Sequence, residues 1–232
     1  MPLQIRPAKL SDVAAITEIY LSAFSNNAIS LLAFPRDNPA SYNWWYDSII
    51  EEFADPHAHF LCIYDSPTPS PTSSTSSSSS PPPIIVAFAK WADADTPPQS
   101  SATPMPKWPA GGDHAIADRF FGTLASRHGE VMRGRRHWYL EALATRPEWQ
   151  GRGAAGMLMR WGLERVDEEG TEAYLEASPH GKPVYEHFGF REVDRLVLGL
   201  EGKGEGVLGE KEFVECFMVR GVGGKEGEIR EM

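Results

Sequence analysis

The chain has 232 residues, of which 41% are hydrophobic and 23% charged, and its formal net charge is −10 at pH 7. This length and apolar content predict a single globular domain over residues 1–232. The negative charge argues against binding to nucleic acid, and no apolar run is long enough to cross a membrane. Two cysteines and no recognisable targeting signal lead us to expect a reducing setting, cytoplasmic or nuclear.

The first part of the chain predicts a strand, several helices and a pair of strands. Residues 3–8 alternate apolar and polar side chains like a strand, and residues 11–12 (Ser-Asp) are placed to cap a helix. Residues 29–55 predict one or two helices, whose aromatic side chains lie either in the core or in the wall of a pocket. Residues 58–65 and 84–93 are strand-like and suited to form a hairpin.

Two turn-rich stretches interrupt these elements. Residues 66–83 contain only Ser, Thr and Pro, so they have no apolar side chain to bury, and we predict a disordered insertion. A second insertion, about residues 93–112, leads into a helix predicted over residues 113–133.

The last third of the chain has the most regular pattern. It predicts, in order, a strand, a helix that ends near Gly170, a second strand, a short helix and two final strands. The strands are expected at residues 137–145, 172–178, 191–200 and 212–221, and the short helix within residues 181–190. Together with the first part, this order predicts a mixed α/β (α+β) fold.

The helix after residue 145 begins with Gly151-x-Gly153-x-x-Gly156, which matches a dinucleotide-binding fingerprint. Glu176 even follows at the distance expected for a ribose-binding carboxylate. A dinucleotide-dependent oxidoreductase is therefore one hypothesis. In that fold, however, the first glycine directly follows the strand, whereas here a five-residue link containing Pro147 intervenes. The order of elements also lacks the βαβ units that such a domain needs.

Small residues at a helix start still indicate an anion site. They leave backbone N–H groups open at the positive end of the helix dipole, where phosphate binds well, and Arg152 adds a positive charge. Close packing of the helix on a sheet would explain Gly156 and Gly162. It does not explain glycines in the first turn, where they cost helix stability.

At these residues the chain resembles the GCN5-related N-acetyltransferase (GNAT) superfamily. The family signature Q/R-x-x-G-x-G/A is matched by residues 150–155, after a strand and a short Pro-Glu-Trp link. A second family motif is a strand, a polar turn and a Tyr-containing helix that ends in Gly-Phe, and residues 174–190 match it. The resemblance implies a mostly antiparallel central sheet, flanked by helices and splayed at the acyl-CoA site. It extends over about residues 3–220 and is firm over 138–190.

The resemblance implies acetyl-CoA as co-substrate, no metal, and a primary amine acceptor, either a small molecule or a peptide. It implies that the pyrophosphate binds the first turn of the helix and that the pantetheine arm pairs with the preceding strand like a further strand. A backbone N–H near Leu143 would polarise the thioester carbonyl. The residues implied in acetyl-CoA binding are Leu143, Ala144, Thr145, Gln150, Gly151, Arg152, Gly153, Ala154, Ala155 and Ser178, the last standing where the family commonly has asparagine.

Two residues are candidates for catalysis. Tyr185 matches the family tyrosine, and its ordinary pKa of about 10 keeps it protonated, so it is expected to protonate the leaving thiolate. Glu141 lies at a family base position, where burial raises the pKa of a carboxylate into a useful range. An anchor for the substrate ammonium and an exposed strand carboxylate are the other interpretations of Glu141.

The main hypothesis is therefore an amine N-acetyltransferase that works by direct attack in a ternary complex, as a monomer or homodimer. The alternative is a catalytically silent acyl-CoA-binding or interaction protein of the same fold. The second insertion and the aromatic region near Trp44 are expected to shape the acceptor pocket, since loops placed on a rigid scaffold commonly determine specificity.

Overall fold

A seven-stranded sheet organises the part of the chain that the computed structural model describes, namely residues 3–65, 83–96, 105–200 and 208–224. The strands are β1 (Leu3–Pro7), β2 (Ala58–Asp65), β3 (Ile84–Ala92), β4 (His137–Thr145), β5 (Glu172–Ala177), β6 (Arg191–Gly199) and β7 (Glu212–Arg220). The helices are α1 (Val13–Ala23), α2 (Ala28–Ala33), α3 (Pro39–Glu52), α4 (His114–Met132), α5 (Ala154–Glu169) and α6 (Lys182–His187). Within these ranges, none of the helices combines the length and the apolar character that spanning a membrane requires.

The strand order is β1-β2-β3-β4-β5-β7-β6. Within the described sheet, β4 and β5 are the one parallel pair, and the remaining neighbours run antiparallel. The predicted mixed α/β fold with a mostly antiparallel sheet is thus confirmed. A dinucleotide-binding domain needs a mostly parallel, doubly wound sheet, so the oxidoreductase interpretation of the glycines is wrong at the level of the fold.

The predicted hairpin is present, because β2 pairs with β3 from Ala58 opposite Ala92 to Asp65 opposite Ile84. Of the insertion predicted to be disordered, residues 66–82 lie outside the described residues. The same holds for residues 97–104 of the second insertion.

Asp12 joins β1 to α1 and stands at the N-cap position of α1, as the sequence predicts, but its side chain does not bond to the N–H groups of α1. Its carboxylate accepts a hydrogen bond from Lys9 N at 2.8 Å and two from the Arg6 guanidinium, at 2.6 and 3.0 Å. The hydrogen bonds from Arg6 hold the pKa of Asp12 below its ordinary value. The side chain thus closes the turn before the helix instead of bonding to the helical N–H groups.

Helices cover both faces of the sheet. On one face, Leu158, Met159 and Leu163 of α5 are buried against residues of β3 and β4 such as Trp91 and Trp138. On the other face, α1 and α3 pack over β2, β3 and β4, while α2 and α4 pack toward β6 and β7. A cleft that passes between two strands is therefore lined by α5 on one face of the sheet and by the other long helices on the opposite face.

Gly162 lets α5 approach β3 closely. A Cβ atom added there would lie 2.3 Å from the buried indole ring of Trp91. At Gly156, the other glycine that close packing would explain, an added Cβ would first meet the guanidinium of Arg160 at 3.3 Å, which is the flexible end of a side chain. Close packing on the sheet is therefore the role of Gly162 and not of Gly156.

We expect Gly162→Ala to lower the free energy of unfolding by about 1–3 kcal/mol, the usual cost of overpacking a core. Gly122→Ala in α4 is the matched control, because an added Cβ there meets no atom within 4 Å. That control should be neutral or stabilising by up to about 1 kcal/mol, the gain in helix propensity. Urea unfolding followed by circular dichroism measures both, and equal stability of the two variants would contradict the packing argument.

Candidate active site

β4 and β5 separate halfway along their length. They pair only from His137 opposite Glu172 to Leu140 opposite Leu175. Beyond these pairs β4 continues along β3, whereas β5 continues along β7. A cleft of about 1260 Å³ lies at this separation, and its lining residues come from both faces of the sheet.

The edge of β4 turns backbone groups toward the cleft. Arg146 N donates to Val86 O at 2.8 Å, just beyond the pair that joins Thr145 to Ala87. Because hydrogen bonding alternates along an antiparallel ladder, the backbone of Ala144 bonds toward β3, while that of Leu143 points away from β3. Leu143 and Thr145 thus present N–H and C=O groups to the cleft, whereas Ala144 lines the cleft without offering its backbone groups.

A glycine-rich turn leads from β4 into α5. Gly151 and Gly153 have φ values of 72° and 85°, in the left-handed region that favours glycine, and a Cβ at either would meet no atom within 4 Å. Met157 N donates to Gly153 O, so the N–H groups of Ala154 and Ala155 precede the first bond of the helix. The positive end of the α5 dipole therefore faces open space at the rim of the cleft.

The side chains beside this turn bond locally. Gln150 Nε2 donates to Thr145 O at 3.4 Å, and Arg152 donates to Glu148 O at 3.1 Å while its guanidinium lies 4.5 Å from the ring of Trp149. Of the two, only Gln150 is among the residues that line the cleft. The exposed Arg152 stands beside the turn, on its outer side.

The second motif forms the opposite wall. Ser178 Oγ accepts a hydrogen bond from Gly181 N at 3.2 Å and so closes the turn before α6. On α6, Tyr185 is half-buried, packs edge-on against Phe190 and lines the cleft. Burial, together with the nearby carboxylate of Glu215, raises the pKa of Tyr185 well above its ordinary value. Its hydroxyl is therefore protonated over the whole physiological pH range.

Glu141 is held in an ion pair. It is the extra residue of a β-bulge, because Lys90 stands opposite Ala142 while Trp91 stands opposite Leu140. Its carboxylate accepts a hydrogen bond from the Lys90 ammonium, which also lies 3.2 Å from Glu52 Oε2.

Burial alone would lower the pKa of Lys90, but the two carboxylates outweigh it and raise that pKa. Burial also raises the pKa of Glu52. The carboxylate of Glu141 therefore lines the cleft already paired with the ammonium of Lys90.

Glu176 is a cleft carboxylate that sequence reasoning considered only as a ribose ligand. It accepts hydrogen bonds from the hydroxyls of Tyr139 at 2.7 Å and Tyr174 at 2.8 Å. Burial raises its pKa to about 7, although the two tyrosines favour the ionised form. Tyr174 also stacks on His128, whose pKa burial lowers to about 3, so that imidazole is neutral.

Glu215, in the middle of β7, was missed altogether. It lines the cleft and is only 8% exposed. Burial, and then the neighbouring Glu176, raise its pKa to about 8. A signal was present in the sequence, because Phe213 and Phe217 stand two residues away on either side, and an acid between them on one face of a strand is buried with them.

Comparison with known proteins agrees with this geometry. Residues 115–199 match the family model of the acetyltransferase (GNAT) domain. A Schizosaccharomyces pombe protein called an uncharacterized N-acetyltransferase is 34% identical over 76 residues, which are 32% of this chain and 31% of that protein. The match therefore spans about a third of the length of this curated relative.

Solved structures share the fold over nearly the whole chain. A polyamine N-acetyltransferase of Drosophila melanogaster superposes with a TM-score of 0.61 at 13% identity, covering 94% of this chain and 99% of that one. A Corynebacterium glutamicum structure described as histone acetyltransferase HPA2 and related acetyltransferase gives 0.58 at 19% identity, with 98% and 100% covered. These structural matches show a shared fold, and the family match shows that residues 115–199 resemble the acetyltransferase domain of the GCN5-related N-acetyltransferase superfamily.

Proposed function

We propose that this chain is an acyl-CoA-dependent N-acetyltransferase that moves an acetyl group from acetyl-CoA to a primary amine by direct attack in a ternary complex. The observation that carries the proposal is the cleft itself. It runs from an anion-binding helix start, past the free edge of β4, to a chamber rich in carboxylates. A phosphate-bearing donor and a cationic acceptor suit opposite ends of such a cleft.

The glycine turn suits the donor. The open N–H groups at the start of α5 provide hydrogen bonds and a positive dipole for a pyrophosphate. The backbone groups of Leu143 and Thr145 suit the amides of a pantetheine arm, which would pair with β4 as a further strand. The Leu143 N–H would then donate to the thioester carbonyl oxygen and stabilise the charge that develops there.

The other end suits a cationic acceptor. Among the described residues that line the cleft, seven are glutamates, and Lys90 is the one lysine or arginine. Such an excess of negative charge raises the local concentration of cations and disfavours acidic acceptors. Aromatic side chains from α1, α3 and α4, including Tyr20, Trp45 and Phe121, offer surface for the hydrocarbon part of an amine.

The proposed reaction has few steps. The neutral amine nitrogen attacks the thioester carbonyl carbon, the C–N bond forms and the C–S bond breaks. Tyr185 gives its proton to the leaving sulfur. Glu141 belongs to the wall of the acceptor chamber, where the Lys90 ammonium already occupies its carboxylate.

Incubation of the protein with acetyl-CoA and a panel of alkyl, arylalkyl and peptide amines tests the function. Thiol release measures turnover, and mass spectrometry identifies the acetylated amine. A catalytically silent acyl-CoA-binding protein would bind acetyl-CoA in calorimetry and release no thiol above the rate of spontaneous hydrolysis. Such an outcome would contradict the proposal.

Gly153→Glu is expected to abolish acetyl-CoA binding for two reasons. It adds a carboxylate at the proposed phosphate site, and it places a side chain at a position whose positive φ favours glycine. Gly170→Glu is the matched control, since Gly170 ends α5 with φ 63° and open space around it, so the backbone strain of about 1–2 kcal/mol is similar. Isothermal calorimetry should find no binding to the first variant and wild-type affinity in the second. Retained binding by Gly153→Glu would locate the phosphate site elsewhere.

Tyr185→Phe is expected to lower kcat at neutral pH by about 10²-fold or more, the usual contribution of a general acid. The affinity for acetyl-CoA should stay within about twofold of wild type, because the ring is retained. Tyr64→Phe removes the same atom from a tyrosine that bonds Gln4 outside the cleft, and it should leave kcat unchanged. If turnover by Tyr185→Phe equals that of wild type, Tyr185 has no part in the mechanism.

A further inference from the structure

We propose that Glu215 binds the ammonium group of the acceptor and accepts its proton, with Glu176 as the second anionic wall of that subsite. The inference rests on the proposed function and defines its acceptor as a primary alkylammonium. It assigns to β7 a role that the family resemblance assigns to Glu141 of β4.

The first argument is the burial of a carboxylate without a partner. Glu215 is 8% exposed and lines the cleft. No side chain in the described ranges hydrogen-bonds to its carboxylate or forms an ion pair with it. A buried charge without a partner is costly, so this carboxyl group keeps its proton in the free protein up to about pH 8 and ionises more readily when a ligand brings a counter-charge.

The second argument is the charge of the groups around Glu215. Glu176 of β5 and the hydroxyls of Tyr20, Tyr174 and Tyr185 are close enough to interact with it electrostatically, and none of them is a cation. From α4, His128 faces the same cleft as a neutral imidazole.

The remaining nearby charges are already paired. Lys90 lies between Glu141 and Glu52 and forms ion pairs with both. An incoming ammonium therefore meets no competing cation at Glu215. At Glu141 it would have to displace the ammonium of Lys90.

The third argument is the match of proton affinities. The pKa of Glu215, raised to about 8, lies between that of an ordinary carboxylate and the value of about 10 that is typical of an alkylamine. Proton transfer from a bound ammonium is then only moderately uphill, which is what a general base requires. Tyr185, the proposed acid, lines the same cleft as Glu215, whose carboxylate contributes to raising the pKa of Tyr185, so the proposed base and acid share one space.

The protons balance in this scheme. R–NH₃⁺ gives one proton to the Glu215 carboxylate and becomes the nucleophile R–NH₂. After the C–N bond forms and the C–S bond breaks, the Tyr185 hydroxyl protonates the thiolate, and the resulting phenolate takes the second proton from the nitrogen. Glu215 returns its proton to solvent, so amide, CoA thiol and one H⁺ leave the site.

Binding without turnover tests the subsite. Hexylammonium and phenethylammonium are titrated by calorimetry into protein saturated with CoA, which has no acetyl group to transfer, at about pH 8.5, where Glu215 is mostly ionised and the amines are still protonated. We expect Glu215→Gln to weaken the binding of at least one probe by 10-fold or more. The exposed Glu164→Gln on α5 is the matched control and should change it by less than about twofold. Equal binding to wild type and Glu215→Gln, or no binding to wild type, would overturn the proposal.

This design separates the two proposals. If the amine binds through Glu215 but no thiol is released from acetyl-CoA, the proposed acetyltransferase function fails while the ammonium subsite stands. If turnover occurs, kcat/KM for the amine should fall about 100-fold in Glu215→Gln. The rise of kcat/KM with pH that the carboxyl group of Glu215 causes should also be lost. Loss of that rise in Glu141→Gln instead would return the role of base to Glu141 and overturn the inference.

Thermal unfolding checks that the variant folds. The folded protein holds the Glu215 proton up to about pH 8, whereas the unfolded chain loses it near pH 4.3, so this group makes the wild type less stable as pH rises between these values. Without ligand, Glu215→Gln should therefore have a Tm close to that of wild type at pH 5 and several degrees higher at pH 8.5. A variant less stable than wild type at both pH values would contradict the unpartnered burial of Glu215.

Discussion

The divergence of β4 from β5 after Leu140 is the constraint on which the site depends. Two parallel strands that stay paired satisfy each other's backbone groups and leave no opening. Here each strand instead keeps its other neighbour, β3 or β7, so the sheet holds together while a gap forms within it. The gap exposes the free edge of β4 and brings side chains from both faces of the sheet into one space.

The two ends of this space have opposite electrostatic character. At one end, the start of α5 offers unpaired N–H groups and the positive end of a helix dipole. At the other, carboxylates from α3, β4, β5 and β7 converge, and among them only Glu141 and Glu52 have a lysine between them. Under the proposed function, this arrangement would orient a donor that carries phosphates and an acceptor that carries an ammonium by charge before any specific contact forms.

Much of the fold could be predicted from local patterns in the sequence. Strand alternation, helical spacing and the position of Pro147 located all seven strands and the long helices to within a few residues, since these signals depend on neighbours in sequence. The glycine turn before α5 was recognised for the same reason. The role of Asp12 was not, because its carboxylate bonds to Arg6, six residues away on a strand, and not to its own helix.

The sequence by itself determined the α/β architecture, the family resemblance and the loop that suits an anion, because each rests on short contiguous patterns. Only the tertiary structure decided which acids share the cleft and which of them have partners. Glu52, Glu141, Glu176 and Glu215 come from four different elements and meet only where the sheet splays. The proton affinity of such a group depends on burial and on distant charges, so Lys90 beside Glu141 and the isolation of Glu215 could not be inferred from spacing along the chain.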